Sequence, residues 1–189
     1  MYKLCKSEQS ARRQRELELG LLKAMQTQTF EDISVSELCD QMGIPRKSFY
    51  RYFSNKDGAL LALLDHSLME FEQTAELSHA KGTTGAKVDM ERFFLFWYEQ
   101  KELLEALVRS RLAGMLVERA THHALHEHLM PGYLVSKDPR TQEMAMTFMI
   151  CGLLSMVMQW QQNGYRETPA QMAQIAHMML SKPLVPGWN

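Results

Sequence analysis

Residues 33–64 read ISVSELCDQMGIPRKSFYRYFSNKDGALLALL: two short helical patterns joined by a glycine–proline turn, then a third helix start. Ser34 and Glu37 have the spacing of a capping box, in which each side chain satisfies an orphan amide of the other. Val35, Leu38, Cys39 and Met42 follow the i, i+3, i+4, i+7 stripe of an amphipathic helix. Gly43 suits the left-handed backbone that ends a helix. Pro45, at the first position of the next helix, needs no amide partner. Helices joined by so short a turn must cross steeply. This is a helix-turn-helix.

The second helix, about Pro45 to Phe53, has two unlike faces. At 100° per residue, Arg46, Lys47, Tyr50 and Arg51 fall within an arc of about 140°. Phe49 and Tyr52 point the other way, and Phe53 lies further down the axis, placed to turn into the core. A surface helix gains little by exposing a tyrosine among three cations. A helix in a DNA major groove uses both: cations neutralise phosphates, and the tyrosine hydrogen-bonds a phosphate or touches a base edge. Ser54-Asn55-Lys56-Asp57 then reads as a second S-x-x-[DE] start, with Lys56 at a helix N-terminus whose free amides already favour an anion. A merely solvated charged face would explain the charge run. It would not explain the box, the turn, Tyr50 and Lys56 together.

With those residues in place, residues 12–64 resemble the DNA-binding domain of TetR-family transcriptional repressors. The matching elements stand here as RRQRELELGLLKAM, ISVSELC, GIPRKSFYRYF and SNKDGALL. The resemblance implies that Ser36, Arg46, Lys47, Ser48, Tyr50, Arg51 and Lys56 face DNA. Thr29 stands where a glycine often precedes the aromatic, Pro45 replaces a usual serine, and Lys47 replaces a common glycine. The last two lie on the reading surface, so they bear on which operator is read.

The 189 residues are enough for a small DNA-reading unit and one larger helical domain. The net charge is −1, unevenly spread: residues 1–56 hold ten Lys/Arg against seven Asp/Glu, and residues 57–189 eleven against fifteen. The basic excess sits in the helix-turn-helix half, and the remainder needs no polyanionic partner. Cys5, Cys39 and Cys151 are odd in number and far apart, two of them on apolar helix faces, which predicts reduced thiols and a cytoplasmic protein. MYKLCKSEQS has no apolar core of a signal peptide. Met144 to Trp160 imitates a membrane span but is short for one and lacks flanking positive charge. A helix apolar on all sides must be buried on all sides. We therefore expect one face on its own core and another on a second copy of the chain, with no membrane partner.

No segment shows sustained period-two alternation, so the fold is all-α, with about nine helices: an N-terminal three-helix bundle carrying the helix-turn-helix, and a C-terminal helical domain for effector binding and dimerisation. The boundary is expected at 1–55 and 56–189. Helix one, about Ser10 to Thr27, turns Leu17, Leu21, Leu22, Ala24 and Met25 inward. Helix four runs from Asn55 to about Ser78 and links the two units mechanically. KGTTG, residues 81–85, reads as a loop. Helix five spans about Lys87 to Gln100, further helices fill Lys101 to Met130 with a break near Ser110, and Pro131-Gly132 and Asp138-Pro139 bracket a loop. Helix eight, about Arg140 to Asn163, is ended by Gly164, Thr168-Pro169 starts the last helix, and the tail KPLVPGWN is irregular. FMICGLLSMVMQWQQNG and TPAQMAQIAHMML are similar to the dimerising end of many TetR-family proteins. Phe148, Gly152, Met156, Trp160, Met172, Ile175 and Met179 are the interface candidates.

Fifteen methionines suit an adaptable apolar pocket, although most at helical spacing will be core. Phe94, Trp97, Tyr98, Met115 and Met149 are the effector-pocket candidates, and the scarcity of charge there favours a hydrophobic or aromatic effector. His122 and His126, and His123 and Glu127, are i, i+4 pairs, but the pairs sit about 100° apart, and no H-E-x-x-H order exists. We read them as a solvated helix end, with no metal and no cofactor. No nucleotide-binding glycine loop and no nucleophile–base pair supports an enzyme. These features point to a homodimeric regulator that binds double-stranded DNA and answers to a small molecule. A ligand-binding scaffold that has lost DNA binding is the alternative.

Overall fold

Five helix starts, at Ser7, Ser34, Asn55, Asp138 and Thr168, are written in side chains that satisfy free amides, and the computed structural model shows those caps made. It describes residues 2, 7–80, 85–126 and 138–181, the last six residues of the 56–80 helix by backbone alone. Cys5, residues 81–84 of the expected loop, Glu127, His128, Pro131-Gly132 and the tail from Lys182 lie outside the described residues. Among the described residues there are nine α-helices: α1 Glu8–Met25, α2 Val35–Gln41, α3 Arg46–Tyr50, α4 Lys56–Ala80, α5 Ala86–Glu99, α6 Lys101–Arg109, α7 Ala113–His126, α8 Pro139–Gln162 and α9 Pro169–Ser181. The fold is all-α, as expected.

The Ser34–Glu37 capping box forms: Glu37 N donates to Ser34 Oγ at 3.1 Å and Ser34 N to Glu37 Oε2 at 3.1 Å. Gly43 adopts φ +64°, and Ile44 N reaches back to Cys39 O at 3.0 Å, so the α2 end closes in the left-handed manner that glycine favours. A second box starts α9, with Gln171 N on Thr168 Oγ1 and Thr168 N on Gln171 Oε1. Asp138 caps α8, accepting from Thr141 N at 2.9 Å, with Pro139 in the first turn. The break near Ser110 is real: Arg111 has φ +59°, and Leu112 N bonds Leu107 O.

Three local expectations are corrected. Helix α3 is only five residues long, and Pro45 is its N-cap, in extended conformation, rather than its first residue. Residues after Tyr50 leave the helix so that Tyr52 and Phe53 can turn inward; both are buried. The cap of α4 is Asn55, whose Oδ1 accepts from Gly58 N at 2.9 Å, not Ser54.

One continuous apolar core joins the reading head to the larger domain. Phe49 and Phe53 anchor it in the head, and Phe94, Trp97 and Trp160 in the body, all fully buried. Truncating any of these costs about 3–5 kcal/mol. Helix α4 packs on α1 and on α7, α9 lies along α5, and α8 lies along α7. The end of α6 grips the end of α1: Arg109 donates to the carbonyls of Met25 and Gln26, and Ser110 Oγ accepts from Phe30 N at 2.9 Å. Helix α8 is long and apolar enough to cross a membrane by length and composition. In the chain it buries Met146, Met149, Leu153, Leu154, Val157, Met158 and Trp160. Cys39 is buried, and burial, then Asp40, pushes its thiol pKa up, away from reactivity.

Candidate nucleic-acid interface

Two buried aromatics hold the polar face of α3 outward. Phe49 is fully buried and packs against Phe53, with ring centroids 5.2 Å apart. Its neighbour on the helix, Tyr50, therefore points to solvent and is 51% exposed, edge-on to Phe49 at 5.6 Å. Arg46, Lys47 and Arg51 are exposed on the same helix or at its end, and Ser48 is half-buried. Among the described residues none of these three cations is engaged in an ion pair, whereas Arg12 and Arg13 are both paired with Glu16. The exposed face of α3 thus presents three cations outside any described ion pair around a tyrosine hydroxyl, with Ser36 half-buried near the start of α2. That arrangement serves a polyanion with groove edges better than it serves water alone.

Lys56 departs from its expected place. Its ammonium donates to the carbonyls of Phe30 (2.6 Å), Glu31 (2.8 Å) and Ile33 (2.9 Å) and lies 4.7 Å from the Phe30 ring centroid. An ammonium has three donors, and all three are used on the α1–α2 connection. Lys56 straps the start of α4 to the α1–α2 connection.

A cleft of about 410 Å³ lies beside the recognition helix, with Arg13, Leu17, Met42, Ile44, Ser48 and Arg51 among its walls. None of the five effector-pocket candidates lines it. The structure divides those five. Phe94 and Tyr98 pack on Trp160, at 6.0 and 5.6 Å between centroids, while Trp97 joins Phe93 and Phe96, with Phe71 of α4 beyond them. Met149 is buried on α8 and Met115 half-buried on α7.

The interface candidates also divide. Phe148 is 70% exposed and Met179 45%. Gly152 is exposed, with nothing near where a Cβ would stand, and Met156 and Ile175 are half-buried. Trp160 and Met172 are corrected: both are buried within the chain. Trp160 stacks on Tyr98 and donates from Nε1 to Glu167 O at 3.1 Å, because the α8–α9 turn folds over it.

Sequence reasoning missed a polar seam along α4. On one side, fully buried Glu18 of α1 receives His66 Nδ1 at 2.7 Å and Arg15 at 3.2 Å, and Arg15 also reaches Glu70 at 2.6 Å. On the other, buried Asp65 takes Arg119 of α7 in bidentate fashion, Nε at 2.8 Å and Nη2 at 2.6 Å, and accepts the Tyr2 hydroxyl at 2.6 Å. Tyr2 also forms a lone antiparallel bridge with Phe53. Burial, then the Asp65 hydrogen bond, drives the Tyr2 phenol well above its ordinary pKa. The available signal was acid in a core phase: Glu18 lies one residue after Leu17 and three before Leu21 on the inward stripe of α1.

Comparison with known proteins agrees with this geometry. Residues 22–63 match the model described as bacterial regulatory proteins, tetR family, and residues 89–182 match a transcriptional regulator C-terminal region of the same family. No curated protein matches the chain. Among solved structures, the chain is similar to the fatty acid degradation regulator FadR from Bacillus halodurans. That match has a TM-score of 0.65 at 15% identity, over 96% of this chain and 98% of that one. It is also similar to a tetR-family transcriptional regulator from Streptomyces coelicolor, at TM-score 0.56 and 20% identity, over 90% of this chain and 80% of that one. At such identities the structural likeness speaks for the fold alone, and the two family models cover the head and most of the body. The chain belongs to the tetR family of DNA-binding transcriptional regulators and is not an enzyme.

Proposed function

We propose that this regulator is a homodimeric repressor, released from a near-palindromic operator by a small, hydrophobic or aromatic effector. The observation that carries the reading is the outward face of α3, where Arg46, Lys47 and Arg51 surround an exposed Tyr50. A second copy would place another such face about one helical turn away, roughly 34–36 Å, and make the operator two-fold.

The dimer reading is supported by the outer strip of α8, where Met144, Phe148 and Gly152 recur at intervals of four, and by Met178 and Met179 on α9. Met144 at 59% and Phe148 at 70% exposed set two large apolar side chains about one turn apart on that strip. In this reading, residues 1–55 read DNA and residues 56–189 bind effector and partner. That the α4 helix begins at Lys56 supports the division.

The effector reading rests on the Phe71, Phe93, Phe96 and Trp97 cluster between α4 and α5. Trp97 Nε1 is buried there without a hydrogen-bond partner, a donor that an effector's acceptor would satisfy. A ligand in that cluster would bear on α4, and through Glu18–His66 and Tyr2–Asp65 on the head. It would shift DNA affinity only by its differential affinity for the two states.

The test is a fluorescence-anisotropy titration against DNA flanking the coding region, and against a selected random pool, across a salt series, with Tyr50→Ala alongside. Tight, salt-steep binding lost in the variant is expected. Salt-independent or absent binding to both DNAs would leave a ligand-binding scaffold as the better reading.

A further inference from the structure

The last turn of α7 holds a pair of histidines that the DNA-binding function does not use. His122 and His126, four residues apart, are both exposed, with ring centroids 4.0 Å apart. Their Nε2 atoms converge to 2.8 Å. Two imidazole nitrogens that close share one proton between them, and a metal cation can take that proton's place.

The spacing also suits some metals better than others. With metal–nitrogen bonds of about 2.0–2.1 Å, two ligands at 90° have their nitrogens about 2.9 Å apart, and two at a tetrahedral angle about 3.3 Å. The 2.8 Å hydrogen-bond distance lies nearer the right-angled bite than the tetrahedral one. Right-angled nitrogen pairs suit the tetragonal or square-planar preference of copper(II) and nickel(II), and copper(II) also heads the general affinity order. Zinc would require the pair to open by about half an ångström. We propose that His122 and His126 form a bidentate surface site for a tetragonal divalent transition-metal ion, copper(II) ahead of nickel(II) and both ahead of zinc.

No third His, Cys, Asp or Glu joins the pair among the described residues. Between the two on the sequence, His123 turns to the neighbouring arc and pairs with Glu72 of α4, Nε2 to Oε1 at 2.9 Å. A metal on His122 and His126 would therefore lock the same helical turn that holds α7 to α4.

The test is calorimetric titration of metal-free full-length protein with copper(II), nickel(II) and zinc(II) chlorides in turn, on wild type, His122→Gln, His126→Gln and the control His177→Gln. Copper electron paramagnetic resonance accompanies it. Each of the two site variants should weaken copper binding by roughly 10–100-fold or more, since even removal of an outer-shell partner costs that much. The control should not, and the wild-type spectrum should show two nitrogen ligands. Copper binding that survives both site variants, a zinc affinity equal to that for copper, or no saturable binding at all would overturn the proposal. Both histidines are exposed, so circular dichroism of the variants should match wild type and exclude misfolding as the cause.

Discussion

The ammonium of Lys56 lies 2.6 Å from the carbonyl oxygen of Phe30 and 4.7 Å from the centroid of that residue's own ring. The start of α4 is thereby tied to the connection that precedes the helix-turn-helix. Lys56→Met removes the donor from three carbonyls at once and should cost about 1–3 kcal/mol in urea unfolding. The salt dependence of DNA binding should keep its slope. A slope reduced by about one would return Lys56 to the phosphate surface.

Tyr50 is half exposed and Lys47 exposed, so substitutions there should leave stability within about 0.5 kcal/mol. Lys47→Ala should weaken binding to all DNA sequences about equally and lower the salt slope by about one. Arg46→Ala or Tyr50→Ala that relaxes preference at one operator position, at about 1–3 kcal/mol, marks a base contact instead. Anisotropy against an operator and its point variants separates the two outcomes.

Phe148 is 70% exposed and Trp160 1%, though they stand three turns apart on one helix. Phe148→Glu should shift sedimentation velocity from dimer to monomer with little change in the helical signal. Trp160→Ala should lower unfolding stability by about 3–5 kcal/mol. A Phe148→Glu protein that remains dimeric would move the interface off this strip.

Asp65 gathers Arg119 and Tyr2 around one buried carboxylate. Asp65→Asn leaves Arg119 without its charge partner and should destabilise by about 2 kcal/mol or more. Because the pair joins α4 to α7, any effector response of DNA binding should fall in this variant even at temperatures where it is folded. Coupling retained in full would remove the seam from the signalling route.

Tyr165 sits against Trp160 and Tyr98, and burial first, then Glu105, pushes its phenol from 10.0 up to about 12. The folded state favours the neutral phenol, so this contribution is complete below pH 10 and lost as pH rises through about 12. Tyr2 shifts in the same direction. At the acid end the sign reverses: donors from Ser34 hold Glu37 below its ordinary 4.5, so the α2 capping box contributes fully above that pH and is lost as pH falls through the lowered folded value. Urea midpoints of wild type and Tyr165→Phe between pH 9 and 12 check the alkaline limb, which should flatten in the variant.

What the chain's own order of residues determined was whatever acts within about one helical turn. The Ser34–Glu37 box, the Gly43 ending, the Thr168 start and the break near Ser110 all follow from amides and carbonyls three to five residues apart, and the structure makes each of them. The two faces of α3 were legible for the same reason, since the angle between neighbours on a helix is a constant. Residue chemistry alone did not tell where a side chain finds a distant partner. Lys56 reads as a phosphate ligand until the carbonyl of Phe30, 26 residues earlier, arrives beside it. Trp160 and Phe148 look alike on an apolar helix, and only the packing of α5 and the α8–α9 turn over Trp160 separates core from surface. Glu18 and Asp65 occupy core-facing positions, and their charge is tolerated there because His66, Arg119 and Tyr2 close around them. A buried charge is tolerable only when its partners are brought to it, and tertiary packing alone brings them.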